Sequence, residues 1–102
     1  MKTDDELNAL FEKHVTKWRR PGIGMVIERP IWTEDANAVL PWLEKASPVA
    51  ICYAPPDEPY PLGRWEIAIK ADGKHLLDCI SRADTFPRAA VIALLRAKGI
   101  EV

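Results

Sequence analysis

Arg64-Trp65-Glu66-Ile67-Ala68-Ile69-Lys70 alternates large apolar side chains with charged or small ones at every second position. A period of two is the spacing of a strand with one protected face, so Trp65, Ile67 and Ile69 are predicted on one side of a sheet. Downstream, Asp72-Gly73 has the chemistry of a hairpin turn, after which Leu77 and Cys79 can oppose Ile69 and Ile67. That register needs an odd offset and so predicts a bulge or a three-residue loop. Upstream, Val49 to Ala54 is a short apolar run between Pro48 and Pro55, the length of a buried strand. Pro55 to Gly63 holds four prolines and reads as a loop.

Helical patterns flank this strand-rich centre. From Asp4 to Trp18, Leu7, Leu10, Phe11, Val15 and Trp18 recur at helical spacing, with His14 in the same stripe. Acids lie at its start and Lys17, Arg19 and Arg20 at its end, matching the helix dipole, and Pro21-Gly22 stops it. Thr33 followed by Glu34 and Asp35 predicts a capped second helix, with Ala36, Leu40 and Leu43 continuing to Ala46. Pro41 falls inside it, removing a hydrogen bond and crowding the Asn37 carbonyl, which predicts a kink or a shortened helix. Gly22 to Arg29 alternates weakly between two prolines and fits an edge strand or an extended loop. At the other end, Asp84 or Thr85 caps a helix from Pro87 to Lys98, closed by Gly99. Its Ala90, Val91, Ala93, Leu94 and Leu95 cover more than one face, so it should be the most buried helix.

The order is therefore helix, edge strand or extended loop, helix, three strands, helix. This is an α+β chain, a small antiparallel sheet covered by helices, and it reads as one domain over residues 1–102. Lys and Arg number 14 against 15 acids, a net charge of -1, so binding to phosphates or an anionic membrane would need a local patch. Phe86 to Ala97, the longest mostly apolar run, contains two arginines and is too short for a membrane span. The first residues lack a basic start and apolar run, so a cytoplasmic location is expected. Two cysteines 27 positions apart make no disulfide framework, and reduced, buried thiols are expected.

Residues with chemical potential are few. His75 and Cys79 resemble a base and a thiol, but four positions along one strand separate them by roughly 13 Å, too far for proton transfer. His14, His75, Cys52 and Cys79 lack the spacing of metal ligands, and no cofactor motif is present. Asp57 and Glu58 are read as loop solvation, Pro56 to Pro59 matches a PxxP ligand only formally, and Gly22-Ile23-Gly24 lacks a third glycine. Lys13, Lys17, Trp18, Arg19 and Arg20 form the one basic cluster and the candidate contact for nucleic acid. Trp32 and Trp42 have no clear inward phase, which makes them the candidate anchors of a protein interface or of self-association.

Ala83-Asp-Thr-Phe-Pro-Arg-Ala-Ala-Val-Ile-Ala-Leu-Leu-Arg-Ala97 resembles the closing motif of the phage ABA sandwich domain. The earlier landmarks fall in the same order: a helix ending at Trp18, Pro30-Ile-Trp-Thr-Glu-Asp35 opening a helix to Leu43-Glu-Lys45, and Trp65-Glu-Ile-Ala-Ile69 as a strand. The resemblance implies a three-layer α/β/α sandwich and a small phage or prophage protein, and it carries over no catalytic residues. The expectation is a non-enzymatic accessory protein of the bacterial host cytoplasm that binds a protein partner or itself, the alternative being a nucleic-acid accessory factor.

Overall fold

The computed structural model describes residues 2–19, 29–48, 50–56, 63–70, 73–75 and 79–102. Among them the fold is α+β, a three-stranded antiparallel sheet packed with three α-helices. The elements are α1 (Asp4–Phe11), a π-helical turn (Glu12–Thr16), α2 (Ala36–Lys45), β1 (Ala50–Ala54), β2 (Arg64–Ala68), β3 (Ile80–Ala83) and α3 (Phe86–Ala97). The sheet order is β1-β2-β3. No helix among the described residues is long and apolar enough to cross a membrane.

The α3 helix organises the rest. It packs on β2 and β3, and it also receives α1 and α2, so the layer next to the sheet is this one helix. That role needs apolar side chains over more than one face, and Ala89, Ala90, Val91, Ala93, Leu94 and Leu95 are all buried. Thr85 is the cap: its hydroxyl accepts from the Arg88 N–H at 3.4 Å. At the far end the Ile100 N–H reaches the Leu95 carbonyl and the Gly99 N–H reaches that of Arg96, both at 3.0 Å, which satisfies the last carbonyls. Replacing Thr85 by alanine should cost about 1 kcal/mol, read from thermal unfolding followed by circular dichroism.

The first helix is shorter than its stripe. It begins on a capping box, Thr3 accepting from the Glu6 N–H while the Glu6 carboxylate accepts from Thr3, and ends at Phe11. Five residues of π-helix follow, and Lys17 at φ 52° turns the chain out of helical geometry before Trp18.

In the second helix the cap is Asp35, whose carboxylate accepts from the Ala38 N–H at 3.1 Å, rather than Thr33. Thr33 is 2% exposed and exchanges two hydrogen bonds with Asn8 of α1. The inward face is Val39 and Leu43, while Ala36 and Leu40 are exposed. The helix runs without a break through Pro41 to Lys45. Pro41 and Asn37 are both exposed, so water can serve the carbonyl that proline leaves unbonded.

Trp65 and Ile67 share a face as predicted, with Ile67 fully buried. The register against β3 differs by two residues from the expectation. Ile67 pairs with Ser81, not Cys79, because Cys79 precedes the strand and donates its thiol to the His75 carbonyl at 3.4 Å. The turn at Asp72 and the pairing of Leu77 lie outside the described residues, as do Gly22 to Glu28 of the expected edge strand or extended loop. The strand β1 is present but is an exposed edge, not a buried strand, because α3 reaches β2 and β3 and leaves β1 uncovered.

Candidate functional site

Ala50, Ile51, Cys52 and Tyr53 are all exposed, with Ile51 at 43% and Tyr53 at 50%. Ile51 pairs with Ile67 and Tyr53 with Trp65, so both stand on the helix-side face of the sheet, one strand beyond the cover that α3 supplies. An aromatic row runs along that face. Phe86 of α3 meets Trp65 edge-on at 5.3 Å, and Trp65 meets Tyr53 at 5.1 Å, where the row ends at the free edge. On the opposite face Cys52 pairs with Glu66. The Arg64 hydrogen bond at 2.7 Å holds the Glu66 carboxyl below its ordinary value; burial opposes this and the charge of Arg82 adds to it.

What marks this edge in the sequence is an absence of charge. The eleven residues Ala46 to Pro56 contain none, although edge strands are usually guarded by charged side chains. Cys52 is exposed, against the expectation of two buried thiols, and Cys79 is buried as expected.

A cleft of about 800 Å³ opens at the start of α3, lined by Asp4, Glu34, Asp84 and the guanidinium groups of Arg64, Arg82 and Arg88. Arg88 is bound to Asp4 at 2.7 Å, and Arg64 and Arg82 share Glu66 at 2.7 and 3.5 Å. With Glu34 and Asp84 also present, the cleft has no excess of positive charge to hold an anion.

The tryptophan candidates separate. Trp32 is 4% exposed and lies in the core 5.3 Å from Phe11, so it is not an exposed anchor. Its position follows from the Thr33 to Asn8 bonds, which pin the neighbouring backbone to α1. Trp42 is half-buried against the core, and the Lys45 ammonium sits 4.6 Å from its ring. In the basic cluster Lys13, Lys17 and Arg19 are exposed, while Arg20 lies outside the described residues. Trp18 packs partly on the core with the Arg29 guanidinium 6.0 Å from its ring. The Cys79 thiol is committed to the His75 carbonyl, a contact that also shows residues 75 and 79 are not spaced along one extended strand. Among the described residues no three potential metal ligands cluster.

Nothing in the spacing marks Glu12, yet among the described residues it is the buried carboxylate, with a side chain 8% exposed. Both of its oxygens accept from Arg29, the Nε contact at 2.7 Å. That hydrogen bond holds the Glu12 carboxyl below its ordinary value. Burial works against it, and the Trp32 indole and the charge of Arg29 add to the lowering. The Trp32 Nε1–H finds no partner at full hydrogen-bond geometry, but it lies close enough to the carboxylate to favour the ionised form. A depressed folded-state pKa contributes stability above the unfolded value of about 4.5, and this is lost as pH falls through the folded value. Urea titrations between about pH 7 and pH 3 should show the advantage of wild type over Glu12→Gln shrinking below about pH 4.5. An advantage constant over that range would count against the ion pair.

Comparison of the chain with protein-family models, with curated proteins and with solved structures finds no match in any of the three.

Proposed function

We propose that this chain is a small phage- or prophage-encoded accessory protein, akin to the phage ABA sandwich domain, that acts without catalysis by binding another protein along β1. The observation that carries the reading is the uncharged, solvent-exposed edge strand Ala50–Ala54. An open edge offers backbone donors and acceptors already in strand geometry, and the alternating side chains supply selectivity. The end of the aromatic row at half-exposed Tyr53 supports the same surface, since it leaves apolar area that a partner strand would cover. The non-catalytic part is supported by the cleft, whose arginines are already neutralised by neighbouring acids. Action inside the bacterial host belongs to the same proposal.

In host extract, tagged wild-type protein is expected to leave a sizing column ahead of the position of one chain. Tyr53→Lys should return it toward that position while keeping its far-UV spectrum. Elution of wild type as a single chain, both pure and in extract, overturns the proposal. Nucleic-acid binding is the lesser reading, because Trp18 is partly packed and its ring neighbours Arg29. A low-salt mobility shift that weakens in Arg19→Ala would reverse that order.

A further inference from the structure

We infer that the partner strand is β1 of a second copy of this chain, paired antiparallel about a twofold axis at Cys52; this rests on the reading of β1 as a binding edge. A twofold interface must be self-complementary, each residue meeting the one that its own position requires. The strand Ala50-Ile51-Cys52-Tyr53-Ala54 has that symmetry in its sequence. With Cys52 opposite Cys52 of the second copy, Ala50 faces Ala54 and Ile51 faces Tyr53, each pairing occurring twice. Small residues meet small ones, and a β-branched residue meets an aromatic one, a favourable cross-strand pair.

The outer flanks follow the same symmetry: Pro48 and Pro56 stand equally far from Cys52 on its two sides and face each other at both ends, while Pro55, one position nearer, has Val49 as its counterpart. Among the described residues no strand pairs on the outer edge of β1.

Both faces of the resulting six-stranded sheet are consistent. On the helix side the row Ala83, Trp65, Tyr53 continues onto Ile51, Ile67 and Ser81 of the second copy. The aromatic row that stops at the edge in one chain thus meets apolar side chains in the next. On the opposite face the row is Arg82, Glu66, Cys52, then the same three in reverse. The two Glu66 carboxylates are three strand spacings apart, about 14 Å, and each is neutralised by its own arginines, so no like charges meet.

The pairing places the two Cys52 residues directly opposite, with Cα atoms about 4.5–5.5 Å apart, inside the range a disulfide bridges. That supplies a probe. Diamide takes two electrons and two protons from two Cys52 thiols, becoming the hydrazine as one S–S bond forms. Light scattering over a concentration series should rise to about twice the 11.5 kDa of one chain. Diamide should give a doubled band on a non-reducing gel for wild type and Cys79→Ser, and none for Cys52→Ser.

Charge placement tests the register. Ile51→Lys with Tyr53→Lys sets lysine opposite lysine twice, and should return the mass to one chain and remove the diamide band. Ile51→Lys with Tyr53→Glu sets lysine opposite glutamate twice, and should restore both. A mass of one chain at every concentration, with no Cys52 disulfide, overturns the second copy as partner; a shift in host extract would then still sustain the edge reading. A dimer that survives the double lysine variant and forms no Cys52 disulfide is held through another surface and likewise overturns β1 of a second copy as the partner. Should the charged variants fail to fold, the wild-type disulfide decides the question alone.

Discussion

Phe11→Ala is expected to lower the unfolding free energy by about 3–5 kcal/mol, the range for emptying a buried aromatic site. Phe11 is fully buried, and its ring packs against Trp32 at 5.3 Å with a 53° tilt. Both rings are held from behind. Phe11 is the last residue of α1, where the backbone passes into the π-helical turn, and Trp32 is fixed through Thr33 and Asn8. Neighbours tied down in this way cannot collapse into the space, which puts the cost toward the upper part of the range. A domain of this size is stable by about 5–15 kcal/mol in total, so the variant should be close to unfolding at ordinary temperature. The urea midpoint measures the loss, and Phe11→Leu, which keeps most of the apolar volume, should cost distinctly less. A shift under about 1 kcal/mol for the alanine variant would mean that Phe11 is not the seam between α1 and the Trp32 loop.

Gly63→Ala is the second large effect, expected at about 2 kcal/mol or more. Gly63 has φ +76°, a left-handed conformation that costs a residue with a Cβ about 1–2 kcal/mol. The added atom also has nowhere to go, since it would lie 2.6 Å from the Tyr53 Oη and 2.9 Å from the Ala54 carbonyl oxygen. The tyrosine can swing aside, being half-exposed. The carbonyl is backbone of β1 and can move only by straining the β1–β2 pairing. Gly73→Ala provides the control, because Gly73 has nearly the same φ, +77°, and nothing within 4 Å of the built Cβ. The difference between the two variants in thermal unfolding isolates the crowding from the backbone cost. Equal losses would show that Tyr53 and Ala54 yield freely.

The strand pattern of β2, the C-terminal helix and its cap were legible because each rests on a local signal, whereas β3 lies beyond the Leu77 and Cys79 read for it. Alternation at Trp65, Ile67 and Ile69 requires no knowledge of the rest of the chain, and neither do Thr85 and Gly99 as helix boundaries. What was not legible depends on tertiary contact. Thr33 has the chemistry of a cap, but it is drawn into the interface with Asn8, which leaves that task to Asp35. Val49 to Ala54 is apolar enough for a central strand, but the sheet order places β1 at the edge and the limited reach of α3 leaves it exposed. Trp32 lacks an inward phase in the sequence because it sits in a turn, where burial has no period to follow. Glu12 is hidden for a related reason: the π-helical turn departs from the spacing by which its stripe was read. The candidate site moved accordingly, from tryptophans chosen for lacking an inward phase to an edge strand recognised by its exposure and lack of charge.

The position of α3 between the sheet and the other two helices bears on the order in which the domain assembles. The pairings β1–β2 and β2–β3 join strands that are neighbours in the chain, and α3 follows β3 directly. The α1 helix meets α3 across almost the whole chain, as the Arg88 to Asp4 bond shows with a separation of 84 positions. Closing so long a loop costs entropy before any contact repays it, so sheet and α3 should associate first and α1 should dock afterwards. Refolding kinetics would separate the two stages. Ile67→Val, on the sheet side, should mainly slow refolding, whereas Phe11→Leu should leave the refolding rate almost unchanged and hasten unfolding. The first helix in the chain would then be the last to find its place.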